Sequence, residues 1–113
     1  MTSLDATAGP TRSRASVRTP QASRYLQQLC KHFAHKVEAT FDETAGEVVF
    51  SIGQCEMQAD GDALQIAVSA TEPQTLPAMK DVIERHLLRF AFREQLEVRW
   101  IDETVPPKAI GSS

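Results

Sequence analysis

The chain is poor in the residues that build closed chemical sites. Two cysteines, Cys30 and Cys55, occur in 113 residues. That is too few for a disulfide framework, so a reducing cytoplasm is the expected compartment. Of the five glycines, none belongs to a run that could cradle phosphates. P-loop, GxGxxG, GxSxG, HExxH and CxxC patterns are all missing, and with them the signatures of nucleotide binding, serine hydrolysis and zinc proteolysis. No cofactor is expected. No stretch approaches the ~18 apolar residues of a membrane span, and no apolar segment near Met1 could act as a signal h-region. No membrane partner is expected. A net charge of -3 argues against nucleic acid as a general partner. An aromatic-studded basic strand, the usual platform for single-stranded nucleic acid, is also absent.

What is present fits one small globular domain. Residues 1–20 are rich in Ser, Thr, Ala, Pro and Arg without apolar period. They are read as a disordered tail, although Arg12, Arg14 and Arg18 among hydroxyl residues have a transit-peptide flavour. The "VPPK" and "GSS" of residues 102–113 predict a flexible C-terminal tail. The folded domain is then residues 21–101. Ala22, Tyr25, Leu26, Leu29, Cys30, Phe33 and Val37 recur at helical spacing and predict a first helix from about Gln21 to Lys36. Four strands follow. Ala39 and Phe41 face inward before the turn "DETAG", in which Gly46 is free to take positive φ. "EVVFSI", "CEMQA" and "LQIAVSA" alternate inward and outward, and "DGD" at Asp60–Asp62 is a hairpin signal. A second helix spans about Leu76 to Phe92, with Thr75 the preferred cap and Thr71 the alternative. "LEVRW" predicts a last strand. The expected fold is two-layer α+β: two helices on one face of an antiparallel sheet, in the order α-β-β-β-β-α-β. Phe33, Phe50, Ile66, Ile83, Leu87 and Phe90 are the expected core.

Charge is unevenly spread. Eight acids and no Lys or Arg lie between Glu38 and Glu72, whereas Gln21 to Val37 carries Arg24, Lys31 and Lys36 and no acid. Within "LCKHFAHK", Cys30 and His32 are about 160° apart on a helical wheel, so one metal ion cannot take both. Cys30 belongs to the apolar stripe, and Cys55 alternates inward with Met57; both are read as core. His32 and His35 lie off the stripe, but two ligands flanked by Lys31 and Lys36 make a poor cation site, and no metal is expected. In the second helix Arg85, Arg89 and Arg93 are four apart, a cationic stripe that Asp81 and Glu84 can partly neutralise. His86 sits at the edge of the apolar ridge and reads as a partly buried core histidine. If the helices pack side by side, His32, Lys36, His86, Arg89 and Arg93 converge into a recessed basic site suited to carboxylate or phosphate.

"RYLQQLCKHFAHK", "FDETAGEVVF" and "IERHLLRFAFREQLEVRW" together resemble a bacterial family of small proteins, a domain of unknown function, over about Ser23 to Trp100. Lys31, His32, His35, Lys36, His86, Arg89, Phe90, Arg93 and Glu94 carry the resemblance. Some members resemble an extra domain appended to siderophore-interacting flavin reductases, and this implies a link to siderophore or iron handling. The sequence has no flavin- or NADPH-binding segment of its own. Three functions are therefore to be weighed. The first is a non-enzymatic binding or accessory domain offering a basic helical face, with candidate residues Lys31, His32, His35, Lys36, His86, Arg89, Arg93 and Glu94, to an anionic small molecule or a siderophore-pathway protein. The second is a small enzyme using His32 or His86 as general acid/base on an anionic substrate. The third is a structural homodimer in which the acidic sheet of one copy meets the basic helices of another.

Overall fold

Strand pairing arranges the chain around a segment of alternating small and basic residues. The computed structural model describes residues 9–103. Its elements are β1 (Arg12–Arg18), α1 (Ala22–Phe33), β2 (Glu38–Phe41), β3 (Ala45–Phe50), β4 (Gly53–Asp60), β5 (Ala63–Ala70), a 3₁₀ turn at Pro73–Thr75, α2 (Leu76–Phe90) and β6 (Ile101–Glu103). The six strands form one open antiparallel sheet ordered β2-β3-β4-β5-β1-β6. Mixed α+β character and an antiparallel sheet with two helices are as the sequence predicts. The order of elements is not: a strand precedes the first helix, and the sheet has six strands.

The expected tail at residues 1–20 contains β1, which lies inside the sheet between β5 and β6. Ser13, Ala15, Val17 and Thr19 are buried and Arg12, Arg14, Ser16 and Arg18 exposed. The period of two is there, but the inward set is small or polar, so its hydrophobic contrast is weak. Ser13 is tolerated in the interior because its hydroxyl donates to Asp102 at 2.7 Å. Residues 1–8 and 104–113 of the expected tails lie outside the described residues, and Asp102 and Glu103, assigned to the C-terminal tail, belong to β6.

The expected strand "LEVRW" is a second correction. Residues 95–100 form no ladder; pairing begins at Ile101, opposite Arg14. Leu96, Val98 and Trp100 still pack against the core, and the Trp100 indole donates to Glu84 of α2 at 2.9 Å. Alternation reports an extended segment with one buried side; it does not guarantee a partner for its backbone. The chain thus doubles back along α2, and Lys80 then pairs with Asp102 at 2.8 Å.

Both helices feed the same core, Leu26, Leu29 and Cys30 from α1 and Met79, Ile83 and Leu87 from α2. α1 covers β2, β3 and β4, whereas α2 covers β5 and β1. Cys30 and Cys55 are free and buried. Burial pushes the Cys30 thiol up to about 11 and the Cys55 thiol up as well, so both stay protonated and unreactive. Gly46 does not take positive φ; among the described residues only Gly9 and Gly61 do. Gly46 is needed for closeness, because a Cβ there would fall 2.7 Å from the Cys30 sulfur. Gly61, at φ 61°, makes the "DGD" turn. Thr75 precedes α2 without capping it; its hydroxyl donates to the Glu72 carbonyl at 2.8 Å.

Of the expected core, Phe33, Ile66, Ile83 and Leu87 are buried, but Phe50 and Phe90 are half-buried at its rim. Leu29, fully enclosed, should therefore matter more. Leu29→Ala is expected to cost about 2–5 kcal/mol in denaturant titrations, and Phe90→Ala less. An equal or larger loss at Phe90 would contradict this packing.

Candidate functional site

The apolar stripe of α1 faces the sheet, which turns His32 sideways toward α2. On α2 the apolar ridge Met79–Ile83–Leu87 faces the same core and leaves His86 at the margin. The two helices touch, and the imidazoles of His32 and His86 come together with ring centroids 4.8 Å apart. Phe33 lies 5.0 Å from His86 and Phe90 lies 5.8 Å from His32, centroid to centroid. Phe33 in turn packs edge-on to Phe50 at 5.2 Å. The pair therefore rests on an aromatic floor continuous with the core.

The two rings differ in freedom. His86 is half-buried, and its Nδ1–H donates to the Val82 carbonyl at 2.6 Å. A carbonyl can only accept, so the proton sits on Nδ1 and the neutral ring keeps Nε2 as an acceptor. His32 is exposed. Its pKa lies below the ordinary 6.5, chiefly because packing desolvates the ring, with the nearby His86, His35, Arg89 and Lys36 acting in the same direction. Four cationic or protonatable groups thus bear on His32. Two imidazoles could in principle share a metal, but Arg89 and Lys36 disfavour a cation there. Among the described residues no cluster of three or more His, Cys, Asp or Glu forms.

The other predicted residues go elsewhere. α2 ends at Phe90, so the four-residue spacing no longer carries Arg93 onto the stripe of Arg89; the guanidinium instead lies 5.3 Å over the Phe92 ring. Arg85 pairs with Asp81 at 3.3 Å. Lys31 lines a shallow groove of about 510 Å³ with Arg24 and Gln28, on another side of α1. Glu94 serves a different purpose: its carboxylate accepts from the Tyr25 hydroxyl, from Thr19 at 2.9 Å and from Gln21 at 3.4 Å. These bonds hold Glu94 below the usual carboxylate range, with Tyr25 the largest cause, while burial and Glu94 push Tyr25 up to about 12. Glu94 thus ties the end of α2 to the β1–α1 junction. Nothing in a linear pattern joins residues that far apart, and Tyr25 was legible only as part of the apolar stripe. A larger groove of about 950 Å³ lies on the sheet face away from the helices, between β2–β3 and β1–β6; neither groove includes His32 or His86. The converged residues form an exposed patch and not the recessed pocket expected.

A six-stranded antiparallel sheet with two helices, bearing an imidazole pair where they meet, defines a small α+β domain. Residues 14–101 match the model of the family described as "Uncharacterized protein conserved in bacteria (DUF2218)", and the chain belongs to that family. Among solved structures it is similar to the NMR structure of PA4090 from Pseudomonas aeruginosa. The two are 34% identical with a TM-score of 0.71, over 84% of this chain and 99% of that one. No curated protein matches the chain. The family match begins inside β1, upstream of the Ser23 at which the sequence resemblance starts.

The His32 environment fixes the sign of a pH effect. A histidine whose folded pKa is lowered binds more protons when unfolded, so stability rises with pH across the interval between the two values. Stability should be intact at pH 7.5 and should fall as pH drops from about 6.5 through the lower folded value. His32→Gln should flatten that part of a melting-temperature profile. An unchanged slope in the variant would contradict the desolvation and crowding of charge at His32.

Proposed function

We propose that the protein is a non-catalytic binding domain that presents His32, Lys36, His86 and Arg89 to an anionic group, a carboxylate or phosphate, of a small molecule or partner protein. The observation that carries this reading is the close, tilted His32–His86 pair, with ring centroids 4.8 Å apart, and Arg89 and Lys36 acting on His32. An anion bound there is attracted by both fixed cations, and it favours protonation of His32, opposing the desolvation and nearby cations that lower its pKa. Arg89 offers planar paired donors suited to either anion. A ferric siderophore with net negative charge belongs to this ligand class, and the family resemblance makes it the first organic ligand to try. A reducing cytoplasm is the proposed setting.

A second reading, general acid–base catalysis, draws on the Nδ1–Val82 bond, which leaves His86 Nε2 ready to take a proton. It ranks below binding because the imidazoles line neither groove, and proton transfer benefits from a site that excludes water.

The test is a titration with inorganic phosphate and with citrate, followed by amide and imidazole chemical shifts. Changes should centre on His32, His86 and Arg89, and affinity should be higher at pH 6 than at pH 8. Arg89→Ala should weaken binding about tenfold, the equivalent of one charge-assisted hydrogen bond, while Arg93→Lys, off the stripe, should change little. Shifts scattered over the surface, or an Arg89→Ala variant that binds equally well, would overturn the proposal.

A further inference from the structure

The sheet face away from the helices carries its own charge pattern. Registers place its side chains in rows across the strands. Arg14 on β1 is opposite Ala67 on β5, which is opposite Glu56 on β4. Two pleat repeats along, Arg18 is opposite Ala63, which is opposite Asp60. Arg14, Arg18, Glu56 and Asp60 are all exposed. These two rows read cation, alanine, acid, with β5 as the midline, and the row between them, Ser16–Gln65–Gln58, is uncharged. Among the described residues Arg18 and Asp60 make no ion pair, whereas Arg14 is shared with Glu103 at 2.9 Å.

We infer that this face binds a second copy of the chain, sheet to sheet, about a two-fold axis running along β5. Rotation about that axis exchanges left and right and leaves position along the strands unchanged. The β1 of one copy then lies over the β4 of the other. Arg14 meets Glu56 and Arg18 meets Asp60, each pair occurring twice, as an isologous contact requires. The midline consists of Ala63, Gln65, Ala67 and Ser69, and three of these four side chains are small, which lets two sheets approach to the ~10 Å of stacked layers. A twisted sheet is a saddle, and a saddle turned over about its strand axis complements itself, so the groove on this face accommodates the convex diagonal of the partner. A contact between the acidic sheet of one copy and the basic helices of another would instead be head-to-tail, and would not give a two-fold dimer. It would also leave the β1 arginines without acids. The helical patch stays open in the sheet-to-sheet pair, so this inference does not depend on anion binding.

The test is molecular mass by sedimentation equilibrium across a concentration series at low and high salt. The expected species at low salt is a dimer that weakens as salt rises. Arg18→Glu and Asp60→Arg should each weaken it about tenfold through like-charge contact, and the double exchange Arg18→Glu/Asp60→Arg should recover most of the loss. Melting temperatures of the variants establish that they fold, and an Ala67→Trp variant, which blocks the midline, gives an independent reading by abolishing the dimer. A single-chain mass at every concentration would overturn the inference. So would a dimer insensitive to both charge reversals and to Ala67→Trp.

Discussion

The insertion of β1 between β5 and β6 is the constraint on which the rest of the molecule depends. Without it the four-stranded meander β2–β5 would end in an open edge at β5, and α2 would lose a strand it covers. Among the described residues β6 has three residues and pairs only with β1. Its anchors, Ser13 and Lys80 on Asp102, require β1 and α2 to be fixed already. Thr19, one residue beyond the strand, is buried and donates to Glu94. A segment of modest hydrophobicity thus joins the sheet, the first helix and the return from the second.

That arrangement separates two kinds of surface. On the helical side, apolar stripes bring α1 and α2 into contact and leave His32 and His86 where the stripes run out, above Phe33 and Phe90. Neighbours set the state of the rings there: a carbonyl fixes the Nδ1 proton of one, and desolvation with nearby cations lowers the pKa of the other. On the sheet side, strict alternation sends the arginines of β1 and the acids of β3 and β4 outward together. The strongly acidic stretch from Glu38 to Glu72 thus shares its face with basic residues lying far upstream in sequence.

Much of the fold was legible because helical and strand periods differ. The stripe Tyr25–Leu26–Leu29–Phe33, the ridge Met79–Ile83–Leu87 and the alternation of Leu64, Ile66 and Val68 each report one buried face, and each of those residues is buried. β1 was missed because its inward residues, Ser13, Ala15, Val17 and Thr19, offer too little apolar contrast beside arginines and serines that suit a solvated tail. "LEVRW" was over-read because alternation does not specify a partner strand. At the site, the meeting of His32 with His86 followed from two helices sharing a core. The placement of Arg93 and Glu94 depended on where α2 stops. That end is set by the turn after Phe90, which no cap residue marks. The clasp of Glu94 on Tyr25, Thr19 and Gln21 is purely tertiary.

The role of β1 is open to direct measurement by native-state hydrogen exchange. Strands inside a sheet open only with the global transition, whereas a solvated tail exchanges almost as fast as an unfolded peptide. The amides of Arg12–Arg18 that face β5 should be protected to nearly the same free energy as those of β4 and β5, and should lose protection together with them as denaturant is added. Exchange across Arg12–Arg18 at unprotected rates, with β4 and β5 still protected, would contradict the account and return the segment to a tail.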